Sequence, residues 1–213
     1  MSDEQDITTN DHERVAQAIA QAEAKTSGEI YCVVAHRSDS YFYPSAFYVF
    51  ISLLIVSIIA ALALEAGWYF MRLPYFVGAQ ILAAATIFLF LAIFPNLRLW
   101  LTPRRLQFQQ AHENAIKQFL ARNIRLTAER TGVLLFVSLA ERYAEVVADS
   151  GINAKVDQAQ WNAIVGELIA HAKRDEIASG FVVAIGQVGE LLATHFPPTG
   201  ANPNELDDHL VEI

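Results

Sequence analysis

Two aspartates near a serine and a glycine form the stretch of this sequence with the clearest chemical potential. Asp149, Ser150 and Gly151 follow the apolar segment "YAEVVA", and Asp157 comes shortly afterwards. A hard cation such as Ca²⁺ or Mg²⁺ takes several oxygen ligands from carboxylates, carbonyls and water. If a strand ends at Asp149 and a helix begins after Asp157, both carboxylates can share one sheet edge. This pattern predicts Asp149 and Asp157 as metal ligands, with Ser150 beside them.

The same residues also have an interpretation that needs no ligand. Asp-Ser-Gly is a common turn sequence, because Asp and Ser side chains bond to nearby backbone and Gly accepts unusual dihedral angles. Asp157 stands where the N-cap of a helix is expected. The sequence leaves the cation site and the turn-and-cap alternatives open.

Two glutamates are further candidates for a cleft. Glu29 and Glu145 both lie in or beside predicted strands, so their side chains can meet. Glu145 also belongs, with Glu141 and Arg142, to a predicted hairpin turn and its flank. A charged hairpin turn is ordinarily a solvated turn, and we expect Glu141 to be in water.

Familiar catalytic motifs are missing. The sequence has no Cys-x₅-Arg loop, no Asp-x-Asp after a strand, and no nucleophile elbow around Ser150. The six histidines are scattered without the spacing of zinc ligands. The common phosphatase and zinc classes are therefore disfavoured.

The elements that must position these residues follow from hydrophobic periodicity. We predict a first helix capped by Asn10 with Glu13, and a strand from Glu29 to His36. Later elements are a helix from Thr102 and Pro103 to about Asn123, a strand hairpin "GVLLFVSLAERYAEVVAD", a helix from Gln158 to Lys173, a fourth strand "SGFVVAIGQ", and a last helix "VGELLATHF".

Two long segments carry no charge at all, from Ser40 to Leu64 and from Leu73 to Leu97. Each exceeds the ~20 residues that span a hydrocarbon core. We predict two transmembrane helices, roughly Ser45 to Leu64 and Tyr75 to Phe94. Aromatic residues near their ends fit the membrane interface, namely Tyr41, Tyr43, Tyr48, Trp68, Tyr69 and Trp100.

Basic residues around these segments predict an orientation. The turn between the spans contains only Arg72, whereas the outer flanks carry Arg37, Arg98, Arg104 and Arg105. The positive-inside rule then places both termini in the cytoplasm, as in an integral protein of a bacterial inner membrane. The acidic start "MSDEQDITTNDHER" is unlike a signal peptide, so we expect no cleavage.

The helix and strand before the membrane cannot bury their apolar faces alone, so we expect them to complete the sheet of the later strands. The predicted organisation is residues 1–40 as the first part of an α/β domain, 41–97 as a transmembrane hairpin, 98–196 as the rest of the domain, and 197–213 as an acidic, frayed tail. The fold class is an α/β sandwich with a central four-stranded sheet flanked by helices and interrupted by the hairpin.

Three strings, "AQAEAKTSGEIYCVV", "GVLLFVSLAERYAEVVADSGI" and "WNAIVGELIAHAKRDEIASGFVVAIGQVGELLATHFP", resemble the TPM domain family, in particular its branch of bacterial predicted membrane proteins. The resemblance implies a sandwich with helices on a central sheet. The better-studied relatives lie in the thylakoid lumen or periplasm and are linked to photosystem repair, and some of them are credited with acid phosphatase activity or with calcium binding at an acidic cleft. The resemblance therefore implies Ca²⁺ as the cofactor to expect, and the oxygen donors around Asp149 also suit Mg²⁺.

Charge is distributed unevenly along the chain. Residues 98–130 carry seven Arg or Lys and two acids, whereas residues 131–213 carry four and twelve. The basic helix after the membrane favours anionic headgroups, while the acidic remainder disfavours nucleic acid. We expect a membrane-anchored module that faces the cytosol and binds a protein partner or a divalent cation. The alternative is a metal-assisted phosphatase that uses Asp149 and Asp157 as ligands or general base.

Overall fold

The computed structural model describes residues 7–67, 72–122, 124, 130–198 and 208–213. The chain divides into two compact units. The first combines Met1–Ser38 with Phe108–Ile213, and the second is Asp39–Gln107. In the sequence, the second unit is therefore an insertion within the first.

The secondary structure begins with α1 (Thr9–Glu23), β1 (Glu29–Ala35), α2 (Phe42–Ala66), α3 (Leu73–Ile93), α4 (Pro95–Leu101) and α5 (Arg104–Ala121). It continues with β2 (Gly132–Ser138), β3 (Tyr143–Ala148), α6 (Ser150–Asn153), α7 (Gln158–Ala172), α8 (Ile177–His195) and β4 (Leu210–Glu212).

The first unit is built on a mixed four-stranded sheet of order β3-β2-β1-β4. β1 runs parallel to β2 and to β4, with Cys32 opposite Leu135 on one side and Leu210 on the other. β2 and β3 form the predicted antiparallel hairpin. The two parallel neighbours of β1 both come after the inserted unit in the sequence, so both flanks of the insertion contribute to one sheet.

Helices cover both faces of this sheet. β1 and β2 are buried at every position, as strands rich in Val, Ile and Leu are when both faces are packed. α1, α7 and α8 bury their apolar residues on one face, around Cys32, Val34 and Leu135. Ala115 and Phe119 of α5 pack on the other, around Val33, Leu134 and Phe136, together with Tyr31, Ala35, Ile124 and Val211. The predicted α/β architecture is thus confirmed.

The predicted strand "SGFVVAIGQ" is wrong, because these residues lie in α8. Phe181, Ile185 and Leu192 recur at helical spacing and are fully buried. Gly189 lets α8 approach α1 closely, since a Cβ there would lie 2.7 Å from the Cβ of Ala22. Packing on α1 therefore outweighs the local β-propensity of the Val and Ile residues.

The fourth strand comes from the C-terminus, where we expected a frayed tail. Leu210 and Val211 are buried in β4. The N–H of Ile213 donates to Val34 O at 3.0 Å, and the N–H of His36 donates to Ile213 O at 2.8 Å. The last residues of the tail therefore form an edge strand, while Leu206 lies outside the described residues.

Two helices begin with a capping box, in which the cap and its partner lie three residues apart in the sequence. α1 begins after Thr8, which forms the capping box with Asp11, so the predicted cap at Asn10 was wrong. Asp157 caps α7 as the second interpretation of that residue predicted, with Gln160 completing its box. Both boxes satisfy N–H groups that the first helical turn leaves without partners.

The second unit contains the two apolar helices. The most apolar stretch of α2 has no buried residue, and 6% of the most apolar stretch of α3 is buried. By length and composition, three helices of the described part of the chain could cross a membrane, namely α2, α3 and α8. Among the interfacial aromatics, Tyr43 and Trp100 are exposed and Tyr41 is buried. Trp68 and Tyr69 lie outside the described residues.

The tight space at Gly132 gives a test of the sheet. A Cβ at this position would lie 2.3 Å from the carbonyl oxygen of Ile124, which is backbone and cannot rotate away. We expect Gly132→Ala to lower the free energy of unfolding of the first unit by about 1–3 kcal/mol. Unfolding is followed by maleimide labelling of Cys32, which is buried and is the only cysteine.

Gly186→Ala is the matched control. Gly186 lies in α8, and nothing occupies the space of its Cβ within 4 Å. Alanine in a helix interior is favoured over glycine by about 0.5–1 kcal/mol, so this change should stabilise the unit. Equal effects of the two substitutions would contradict the packing at Gly132.

Candidate functional site

The amino end of the parallel strands carries the aspartate predicted as a metal ligand. The N–H of Asp149 donates to Gly132 O at 3.0 Å, and Glu29 is the register partner of Gly132 on the other side. Gly132, which has no side chain, therefore lies between Asp149 and Glu29 in the sheet. Both are largely buried.

The two oxygens of Asp149 have different surroundings. Oδ1 accepts from Ser150 N at 2.5 Å and from Ser150 Oγ at 3.0 Å, which makes Asp149 the cap of α6. Oδ2 is buried and has no hydrogen-bond partner among the described residues. Because a buried carboxylate oxygen without a partner is costly, a cation would gain most at this oxygen.

Asp157 is the second predicted ligand, and it is exposed as the cap of α7. Its Oδ1 accepts from Ala159 N at 3.4 Å. Across the described residues, no group of three or more His, Cys, Asp or Glu has the arrangement to hold a metal ion. A metal at Asp149 and Asp157 stays a prediction.

A buried glutamate that the sequence analysis missed lies close to the same edge. Glu23 ends α1, and its Oε1 accepts from Ile30 N at 2.7 Å. Burial first, and then the nearby Glu29 and Asp208 carboxylates, raise the pKa of Glu23 to about 9. Glu23 therefore holds a proton at neutral pH. The only sequence signal was its place one helical turn from the buried Ile19.

Glu145 lies elsewhere, on the sheet face covered by α5. Both of its oxygens are 2.9 Å from His112 Nδ1, and Oε2 also accepts from Tyr143 Oη at 3.0 Å. Burial and then the Glu145 carboxylate raise the pKa of Tyr143. The ring of Phe108 packs on Tyr143 with centroids 5.5 Å apart. This carboxylate fixes one nitrogen of an exposed imidazole, which is how a histidine is oriented for proton transfer.

The register separates Glu145 from Glu29. Glu145 pairs with Phe136, whereas Glu29 pairs with Gly132, four residues earlier on β2. At ~3.3 Å per residue the two rows are about 13 Å apart. The structure does not bring these two candidates together.

Glu141 is fully buried, so the expectation of a solvated turn was wrong. Its Oε1 accepts from Ser38 N at 3.1 Å, and its Oε2 accepts from Ser138 Oγ. The Ser38 and Ser138 hydroxyls are themselves 2.8 Å apart. Glu141 thus ties the β2–β3 turn to the chain just after β1.

Two histidines that looked scattered in sequence converge on the C-terminal strand. His12 Nε2 is 2.7 Å from Glu212 Oε1, and His36 Nε2 is 3.4 Å from Glu212 Oε2. All three side chains are partly exposed. Their contacts fasten β4 to α1 and to the end of β1.

A shallow pocket lies between the N-terminal ends of α1 and α8. Its lining combines the apolar Ile7 and Ile177 with the carboxylates of Asp11, Asp175 and Glu176. Arg14 bonds Asp11 at 3.2 Å, and Arg174 bonds Glu176 at 3.1 Å, so the acids are partly balanced. The pocket suits a polar group rather than a large apolar ligand.

The first unit is thus an α/β sandwich interrupted by an apolar insertion, with carboxylates at both ends of its parallel strands. Residues 99–191, a little under half of the chain, match the model of the TPM domain family. This match confirms the resemblance to that family, and the branch of bacterial membrane proteins stays a prediction.

One solved structure is similar over 100% of both chains, with a TM-score of 0.61 and 17% identity. It is the NMR structure of the BA42 protein from the psychrophilic bacterium Bizionia argentinensis. At this identity the similarity shows the fold alone. Among curated proteins, no sequence matches the chain.

The raised pKa of Glu23 gives a pH test. The folded state keeps a proton that the unfolded state releases above the ordinary value of 4.5, so stability is greatest below that pH and is lost as the pH rises toward 9. Glu23→Gln mimics the protonated form. We expect the parent to lose up to about 1.4 kcal/mol per pH unit relative to this variant between pH 5 and 8.

Unfolding midpoints from Cys32 labelling at several pH values measure this difference. Glu13→Gln serves as the control, because Glu13 lies on the same helix and is exposed. A parent and a Glu23→Gln variant whose stabilities run in parallel across this pH range would show that Glu23 is not buried as a neutral acid.

Proposed function

We propose that the chain is a membrane-anchored TPM domain that faces the cytosol and binds a protein partner. The main support for membrane anchoring is the exposure of the apolar side chains of α2 and α3. α2 has 25 residues and α3 has 21, so both reach the ~20 residues of a membrane span, and most of their large apolar side chains are exposed. In water such a surface would be strongly unfavourable.

Two spans fit the first unit better than three. Half of the most apolar part of α8 is buried, and Phe181, Ala184 and Val188 are fully buried in the core with α1 and α7. Moving α8 into lipid would remove this core. The sheet adds a second argument, because β1 and β2 can pair only if both flanks of the insertion lie on the same side of the bilayer.

The cytosolic orientation rests on the positive-inside rule. Arg98, Arg104 and Arg105 follow the second span, whereas Arg72 alone lies before it in the turn. The helices α1, α7 and α8 then face the cytosol with exposed carboxylates such as Glu13, Glu167 and Glu190. A basic protein surface is the complementary partner.

A divalent cation at Asp149 is a second ligand that one observation favours, namely the buried Oδ2 without a partner among the described residues. Ca²⁺ or Mg²⁺ bound there would contribute charge to a binding surface. The metal-assisted phosphatase depends on the same cation, and it stays a prediction.

The topology can be tested by labelling single cysteines in intact cells. In a Cys32→Ala background, we expect Arg72→Cys to react with a membrane-impermeant maleimide, because residue 72 lies in the turn on the far side. Lys173→Cys, at the exposed end of α7, should react only after lysis. Both variants should stay in the membrane after carbonate extraction.

Labelling of residue 173 in intact cells, or release of the chain by carbonate, would overturn the proposed anchoring or its orientation. The partner is tested by affinity purification from solubilised membranes at low and high salt. A basic protein that is lost at high salt supports the proposal, and recovery of no partner under several detergents contradicts it.

A further inference from the structure

The short helix α4 begins directly after α3, with only Phe94 between them. Arg98 of α4 turns back to the end of α3. Its Nε donates to Leu91 O at 2.5 Å, and its Nη2 donates to Ala92 O at 2.8 Å. The guanidinium also lies 5.3 Å from the ring centroid of Phe42. These bonds satisfy carbonyls that a helix end otherwise leaves to water.

The C-terminal end of α4 is closed in the same way. Thr102 Oγ1 donates to Arg98 O at 2.8 Å. Gln107 Nε2 donates to Leu99 O at 2.7 Å and to Thr102 O at 2.8 Å, and Gln107 is only 5% exposed. Side chains thus replace water at the C-terminal ends of both α3 and α4, as backbone at the edge of a bilayer requires.

The outward side chains of this segment are apolar and then basic. Trp100 is 81% exposed and Phe94 is 50% exposed. Arg104 and Arg105 follow on the first turn of α5 and are also exposed. Tryptophan prefers the level of the headgroups, and each arginine there gains energy from anionic lipid.

We propose that Phe94, Trp100, Arg104 and Arg105 form a binding surface for anionic phospholipid in the leaflet where the second span ends. Trp100 inserts at the boundary between headgroups and acyl chains, and the two guanidiniums bind the lipid phosphate. Arg98 does not bind the lipid phosphate, because its guanidinium already donates to carbonyls at the end of α3. This inference rests on the proposed membrane anchoring and adds a lipid preference to it.

A lipid fits this surface better than a soluble anion does, because the surface needs an apolar partner next to a phosphate. A soluble phosphate would contact only the two arginines and would leave the exposed indole of Trp100 in water. A protein ligand is the competing occupant, and the test below separates it from lipid.

The test uses the full chain in nanodiscs of equal phosphatidylglycerol and phosphatidylcholine, with lipid adducts counted by native mass spectrometry. We expect phosphatidylglycerol to be retained preferentially. Arg104→Gln with Arg105→Gln should lower this preference about thirtyfold, from the summed gain of two cations. The control, Lys25→Gln with Lys173→Gln, removes two exposed cations outside the basic helix and should leave it unchanged.

Arg104 also bonds Gln107 at 3.1 Å, so the double variant could disturb α4. Arg105→Gln alone avoids that bond and should lower the preference about fivefold. Chain that stays in the membrane after carbonate extraction but shows no lipid preference, or loses it equally in the control, overturns this inference alone. Release by carbonate overturns the anchoring as well.

Discussion

The pairing of β1 with β2 is the interaction on which the rest of the structure depends. β1 is central in the sheet, and without it the first unit would keep only a two-stranded hairpin, which is marginal on its own. The strands come from opposite flanks of the apolar insertion, so the chain must return to the side from which it left. An even number of spans satisfies this condition, and α8 is needed in the core. The membrane topology that we propose is therefore a consequence of strand pairing as much as of hydropathy.

The ends of the parallel strands hold most of the buried polar chemistry. At the amino end, Glu23 is kept neutral by burial, and Asp149 keeps one oxygen without a described partner. At the carboxyl end, Glu141 bonds the chain after β1, and Glu212 accepts two histidines. These carboxylates stabilise the joints between strands and their neighbours. Among these four carboxylates, Asp149 is the one with a buried oxygen that no described residue bonds, which is why chemistry is proposed there and not at the others.

The strength of local signals explains how much the sequence predicted. The two apolar helices, β1, the β2–β3 hairpin and the Asp157 cap follow from runs, alternation and capping residues within a few positions, and the structure has elements at each. The first half of α8 is predicted as a strand because Val182, Val183 and Ile185 favour one locally, whereas its second half, "VGELLATHF", is predicted as the helix that it is. The close contact that holds α8 against Ala22 joins segments far apart in sequence. β4 is three residues long and depends on its register with β1, which no local pattern encodes. The burial of Glu141 and the convergence of His12 and His36 on Glu212 likewise depend on contacts between distant segments.

The most direct test of the account is a disulfide between the two flanks of the insertion. Cys32 of β1 is the register partner of Leu135 of β2, on the same face of the sheet, and adjacent strands lie about 4.8 Å apart, within the range for a disulfide. Oxidation of the full-length Leu135→Cys chain in membranes should link residues 32 and 135. Leu134→Cys, whose side chain packs on the opposite face, should not form the link. Failure of the first variant to cross-link, or equal cross-linking of both, would contradict the claim that β1 and β2 pair across the apolar insertion.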